Sequence, residues 1–327
     1  MWDNYSRFMA KKIVLAVSGG VDSVVMLDLV MRHRSVDEES QNVFSATRSA
    51  RNRIPAGHSG QVFTVAEKSF ADSIRQSEIT VAHFNHGIRE DSGEDEEFVR
   101  ALARRYGVEF RSAKGELGSG VNEEVARRAR YGFLWGVAEE CGGEIWTAHH
   151  VDDLVETVAI NLIRGTGWRG LAVLDSEGIV RPMLGWTKRE IIEYAVENRL
   201  EWREDSTNAS DVYLRNRVRR VLSGADVLEE VLGLWGRQLE LKREIEGIIE
   251  ELGDLQRREF YREVDDLVGM EVLRGVLRRE GVRVTRLQLR DCLEAVRSYK
   301  NGKRFNLPGG RMVRMGREEF EVEGCVK

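Results

Sequence analysis

The chain has 327 residues, 42% hydrophobic and 32% charged, with 50 Lys and Arg against 55 Asp and Glu for a formal net charge of −5. This apolar content supports the cores of about two domains and excludes wholesale disorder. Three cysteines, Cys141, Cys292 and Cys325, share no short spacing, which excludes a disulfide scaffold and a four-cysteine zinc ribbon and favours a reducing, cytoplasmic compartment.

In chain order, the first apolar run, Ile13–Val17, is only strand-length, so neither a signal peptide nor a membrane span is expected. Further strands are predicted at Ile79–Phe84, Val108–Arg111 and Ile145–Ala148, alternating with helical patterns. That alternation predicts an α/β fold, a Rossmann-like domain with a mostly parallel sheet. The helix over Val21–Arg34 is apolar on most sides and is expected to be buried. A second begins near Ser92 and places Phe98, Leu102 and Tyr106 on one face. A third starts at Asn122, a good N-cap, and stops at Gly142–Gly143. A fourth covers Asp152–Arg164, and a fifth opens on the capping-box spacing Thr187 to Glu190 and runs towards Asn198.

Two regions break the rhythm. Residues 36–78 are rich in Ser, Arg, Asn and Gln, and read as a surface insertion, at least partly disordered, with a substrate-contacting flap as the functional alternative. Beyond about 220 the pattern is helical from Ala225 to roughly Arg279. It ends in strand-like pieces, Arg304–Leu307 and Arg311–Met315, around Pro308-Gly-Gly310. The expected domains are 1–220 and a smaller, mainly helical 221–327.

The strongest local motif is Ser18-Gly19-Gly20-Val21-Asp22-Ser23, between the first strand and its helix. Two glycines let backbone N–H groups approach an anion, the helix N-terminus adds partial positive charge, and Ser18 and Ser23 add donors. Asp22 repels a bare phosphate, so its place makes sense if Mg²⁺ bridges carboxylate and phosphates. The bland alternative is a tight turn with Ser18 as an N-cap and Asp22 countering the helix dipole. The loop lacks the spacing of a Walker A motif. It resembles the PP-loop of the ATP pyrophosphatases, which cleave ATP between the α and β phosphates and adenylylate a substrate oxygen.

Downstream segments narrow the resemblance. They are His83-Phe-Asn-His86-Gly-Ile-Arg89, Asn122-Glu-Glu-Val-Ala-Arg127-Arg-Ala-Arg130-Tyr131 and Thr147-Ala-His149-His150-Val-Asp152-Asp153-Leu-Val-Glu156-Thr157. Ile163 to Leu171, Arg181-Pro182, Asp205–Asn208 and Arg215-Asn216-Arg217 follow in order. Over most of residues 11–222, outside the insertion, this succession resembles the tRNA(Ile)-lysidine synthetase family. Its second domain is similar to that of the family's shorter members, and the longer members' extra C-terminal domain is expected to be lacking.

Read by themselves, Asp152, Asp153 and Glu156 at a helix start could bind Mg²⁺ or an ammonium group, act as a base, or merely favour the helix dipole. Arg127 and Arg130, three apart, could clamp a phosphate or form a solvated face. Zinc ligation by His83, His86, His149 and His150 is disfavoured, because adjacent histidines diverge and no cysteine supports them. The resemblance implies a ligase forming a carbon–nitrogen bond. ATP would adenylylate C2 of the wobble cytidine in tRNA(Ile) with anticodon CAU, and free L-lysine would displace AMP. It implies Ser18–Ser23 and His83 for ATP, Asp22 on Mg²⁺, Asp22, Asp153 and Glu156 as catalytic, and Arg127, Arg130, His150, Asp152 and Arg215 for substrate. The oligomeric state stays open, a homodimer among the options. Rivals are a tRNA thiolase, which the isolated cysteines disfavour, and a non-catalytic adenine-nucleotide binder, which needs no carboxylate cluster.

The near-balanced charge hides asymmetry. Residues 226–271 carry 6 Lys/Arg against 14 Asp/Glu, whereas residues 281–314 carry 9 against 2. The basic portion could grip tRNA phosphates while the acidic helix faces away, or the two could pair with each other.

Overall fold

The structure, a computed structural model, describes residues 12–35, 74–87, 92–115, 123–204 and 228–324. The chain forms two compact units, Met1–Leu239 and Glu240–Lys327. The expected boundary at 220 and most of the insertion, residues 36–73, lie outside the described residues, as do Asn122, Asp205–Asn208 and Arg215. The surface reading of the insertion does not extend to its end: Ile74 is fully buried in the main core, and Glu78 already belongs to a strand.

The first unit holds a five-stranded, wholly parallel sheet of β1 (Lys12–Ala16), β2 (Glu78–Asn85), β3 (Glu109–Lys114), β4 (Glu144–Trp146) and β5 (Ile179–Val180), in the order β3-β2-β1-β4-β5. β1 reads as a continuous apolar run because Ile13, Val14 and Leu15 are covered on both faces. α1 (Val21–Ser35) is apolar nearly all round and buries Val24 to Val30 between the sheet and its neighbours. Its one interior carboxylate, Asp28, accepts hydrogen bonds from Tyr106 (2.7 Å), Tyr194 (2.7 Å) and Arg32 (2.8 Å), which removes the cost of burying it.

α2 (Ser92–Tyr106), α3 (Glu123–Cys141), α4 (Val151–Ile163) and α5 (Lys188–Glu197) complete the layers. α3 ends where Gly142 turns to φ +66°, and the next residue must also be glycine: a Cβ on Gly143 would sit 2.8 Å from the Lys12 carbonyl oxygen. β5, two residues long, is too short to show in the sequence pattern. Since β1 lies between β2 and β4, the connection reverses direction beside β1, and the segments following β1 and β4 meet at the carboxyl edge of the sheet.

The first half of α6 (Leu228–Glu251) packs Leu232, Trp235 and Leu239 into a cluster with α4, and Trp235 Nε1–H donates to the Val173 carbonyl at 2.8 Å. In the second unit α7 (Arg258–Glu263), α8 (Asp266–Arg279) and α9 (Arg286–Ser298) surround one core with an antiparallel sheet β6-β7-β8 (Arg304–Asn306, Met312–Met315, Phe320–Glu323). α9 was not expected. It begins with a capping box in which Thr285 Oγ1 accepts from Gln288 N–H (3.3 Å) and Gln288 Oε1 accepts from Thr285 N–H (2.9 Å). No helix among the described residues is long and apolar enough to cross a membrane.

Candidate active site

The Ser18–Ser23 loop is built from its own hydroxyls. Gly19 takes φ +96°, which turns the chain out of β1, and Ser23 Oγ accepts from the N–H groups of Ser18 (3.1 Å) and Gly19 (3.2 Å). The Ser23 hydroxyl donates to the Gly20 carbonyl at 2.9 Å, so the Ser18 hydroxyl is the donor in the 3.2 Å contact between the two serines. His83, buried at the end of β2, places Nδ1 2.9 Å from the Val17 carbonyl. It braces the strand end from which the loop springs, and burial lowers its pKa so that the neutral ring is favoured. Arg203 N–H donates to the Gly19 carbonyl (3.0 Å), while its guanidinium bonds Asp95 (2.9 Å) and Glu94 (2.8 Å) at the start of α2. The loop is therefore held from three sides before any ligand arrives.

Across the sheet reversal, the residues after β4 close on the same loop. His150 is buried beside three carboxylates: its Nε2 lies 3.4 Å from Asp153 Oδ2 and 3.9 Å from Asp22 Oδ1, and its Nδ1 3.3 Å from Asp152 Oδ2. Burial works against the imidazolium, but the Asp152 carboxylate and the charges of Asp153 and Asp22 outweigh it and raise the His150 pKa. The same contacts, with Lys188 N–H on Asp152 Oδ2 at 2.8 Å, overcome burial and lower the Asp152 pKa. Asp153 Oδ2 also accepts the His150 N–H at 3.1 Å, which caps α4. Glu156, one turn on, is buried on the inner face of that helix.

His149 behaves oppositely to His150. Burial, then the charges of Arg181, Arg130 and Arg127, push its pKa down to about 3, and its Nδ1 lies 2.8 Å from Thr147 Oγ1. Arg127 and Arg130 flank the Tyr131 ring at 4.9 and 5.3 Å, whereas Arg128 turns to Glu124 at 3.4 Å. Arg181 is buried, and Nη1 donates to the Leu174 carbonyl at 2.8 Å. Arg127, Arg130 and Arg181 thus form the cationic side of the site.

Sequence reasoning missed Lys188, whose Nζ lies 2.5 Å from Asp22 Oδ1. The segment carries capping-box spacing from Thr187 to Glu190 and reads only as a helix start; a cation in a helix's first turn, against the dipole, was the available signal. Among the described residues no group of three or more His, Cys, Asp or Glu side chains surrounds a point suited to a metal ion. The residues do not form a metal cage of their own. One carboxylate, Asp22, beside a phosphate loop does fit Mg²⁺, which typically takes one or two carboxylates and completes its shell with substrate phosphates and water.

A model of the PP-loop domain matches residues 2–225. The tRNA(Ile)-lysidine synthase of Thermus thermophilus is 36% identical over 258 residues, covering 72% of this chain and 50% of that protein. The enzyme of the same name from Thermotoga maritima is 40% identical over 150 residues, covering 43% of this chain and 36% of that protein. The chain thus spans about half the length, or less, of these curated relatives. A solved structure, the U34-tRNA thiolase NcsA from Methanococcus maripaludis with its [4Fe-4S] cluster, is 19% identical, covers 70% of this chain and 72% of that one, and has a TM-score of 0.48. With a glycine-turned, serine-lined loop at the reversal of a parallel sheet and a family match over its first two-thirds, the chain belongs to the PP-loop domain family.

Proposed function

We propose that the protein joins free L-lysine to C2 of the wobble cytidine of tRNA(Ile) with anticodon CAU, using ATP and releasing AMP and pyrophosphate. The carrying observation is the meeting of Asp22, from the phosphate loop, with His150, Asp152 and Asp153 across the sheet reversal. The relatives it resembles in Thermus thermophilus and Thermotoga maritima are named tRNA(Ile)-lysidine synthases, which supports this reading. ATP enters through the Ser18–Ser23 loop, and Asp22 would hold Mg²⁺, which supplies charge neutralisation of the phosphates when bound.

The chemistry assigns each side of the site a task. The cytidine O2 bonds to the α phosphorus, pyrophosphate leaves, and C2 then carries a good leaving group. The lysine ε-amine, ordinarily protonated with a pKa of about 10.4, must shed its proton before attacking C2. Asp153 and Glu156 hold the ammonium group and take that proton, and AMP departs with the former C2 oxygen. Arg127 and Arg130, together with Arg215, contact nucleotide or tRNA phosphate. Sulfur transfer is not favoured: the described cysteines Cys141 and Cys292 belong to different units, and burial pushes Cys292 up to about 12.

The deciding experiment incubates protein, ATP, Mg²⁺ and isotopically labelled lysine with the CAU-anticodon tRNA and analyses the nucleosides by mass spectrometry. Label in a modified cytidine is expected, and its absence would overturn the proposal. Asp153→Asn keeps an oxygen for the helix cap but loses the base, so lysidine formation is expected to fall by about 100-fold or more with little change in melting temperature. Near-normal turnover by that variant would remove Asp153 from the chemistry.

A further inference from the structure

We infer that Lys188 is a phosphate-binding residue that exchanges the Asp22 carboxylate for the β and γ phosphates of the nucleotide and stabilises pyrophosphate as it leaves. This deepens, and rests on, the activity proposed above. Lys188 is the first residue of α5, where its positive charge opposes the partial positive charge of the helix N-terminus. Helix stability therefore does not account for a cation there. Its surroundings do: the backbone N–H is fixed by Asp152 Oδ2 at 2.8 Å, and the ammonium reaches 166 residues back along the chain to Asp22 Oδ1 at 2.5 Å.

The anchoring is divided in a way that suits exchange. The main chain is pinned to the carboxylate cluster, while the side chain retains 40% exposure at the rim of the Ser18–Ser23 loop. Asp22, its present partner, is itself 32% exposed. A partly solvated ion pair of this kind contributes little to stability, so its partner can change at small cost. The incoming triphosphate carries more negative charge than the single carboxylate it competes with, and a lysine is a mobile point charge able to follow it.

The cytidine O2 donates a pair to the α phosphorus, the bond from that phosphorus to the α,β-bridging oxygen breaks, and its pair leaves on pyrophosphate. No proton has to pass through Lys188. An ammonium beside the departing oxygens gains most where their charge increases, which lowers the barrier of this half-reaction rather than of amine attack.

The test compares wild type, Lys188→Met and Lys188→Arg by calorimetric binding of α,β-methylene-ATP, pyrophosphate and AMP, with Mg²⁺ present and neither tRNA nor lysine. Lys188→Met should weaken the methylene analogue and pyrophosphate by about 10-fold or more while AMP changes less than about 2-fold. Lys188→Arg should recover most of the loss, and melting temperatures should coincide. Single-turnover pyrophosphate release with tRNA should slow by about 100-fold in Lys188→Met, with the lysine KM unchanged. Equal weakening of all three ligands, or unaltered pyrophosphate affinity, would overturn the assignment. Wild type that binds the analogue yet forms no lysidine defeats the proposed activity, while the binding comparison still decides the role of Lys188.

Discussion

Gly19 shows how one residue commits the loop. Its φ of +96° is rarely adopted by an L side chain, and an added Cβ would touch Val99 at 3.4 Å and Phe98 at 3.5 Å. Gly19→Ala is expected to cost about 1–2 kcal/mol in denaturant unfolding and to abolish binding of an ATP analogue. His150 offers a pH test whose sign follows from its raised pKa. A folded-state pKa above the unfolded value of about 6.5 stabilises fully below 6.5, and the benefit is lost as pH rises through the raised value. The stability difference between wild type and His150→Gln should therefore shrink as pH rises above about 6.5, and a difference that grows with pH would contradict the imidazolium among carboxylates. The loop was legible in sequence because its chemistry is contiguous: two glycines, two hydroxyls and Asp22 within six residues. Lys188 was not, because its meaning lies in a partner 166 positions away.

At the scale of elements, the parallel strands were readable because strands covered on both faces must be apolar throughout, as β1 and the middle of β2 are. α9 was less legible although Thr285 and Gln288 carry capping-box spacing, because it lies inside the basic segment 281–314, whose nine Lys and Arg mask its helical period. Its buried face, Leu289, Cys292, Leu293 and Val296, follows helical spacing. Beyond that apolar packing, a pair of arginines acting on carbonyls ties α9 to its neighbours. Arg258, buried, donates to the carbonyls of Val296 (2.7 Å), Tyr299 (2.5 Å) and Gly316 (2.8 Å), tying the end of α9 to the β-hairpin. Arg297 reaches the carbonyls of Tyr261 (2.6 Å) and Val264 (2.9 Å) and pairs with Asp266. Arg258→Leu strands three carbonyls and is expected to cost about 3 kcal/mol or more, read as a lower denaturant midpoint. A loss below about 1 kcal/mol would show that water replaces the guanidinium.

For the whole molecule, charge asymmetry is the property that composition concealed and structure divides in two. Part of the basic segment 281–314 is neutralised within the second unit: Arg297 pairs with Asp266, Arg311 with Glu280, and Arg304 and Arg314 with Glu323. Arg297 is thus a structural brace, and replacing it would confuse unfolding with lost affinity. Arg283, Arg286, Lys300 and Lys303 are exposed and make no ion pair among the described residues. If these four grip tRNA phosphate, each contact releases counterions, and the slope of log affinity against log salt falls by about 0.7–0.9 per contact removed. Lys300→Gln with Lys303→Gln should therefore lower the slope by roughly 1.5 and weaken tRNA binding several-fold at about 0.1 M salt. Arg283→Gln with Arg286→Gln, if added to that pair, should lower it by a similar further step, with melting temperature unchanged in both variants because no described ion pair is broken. The measurement is a salt titration of tRNA affinity by filter binding. An unchanged slope in the fourfold variant would make these residues a solvated surface and leave the first unit to supply the grip on RNA.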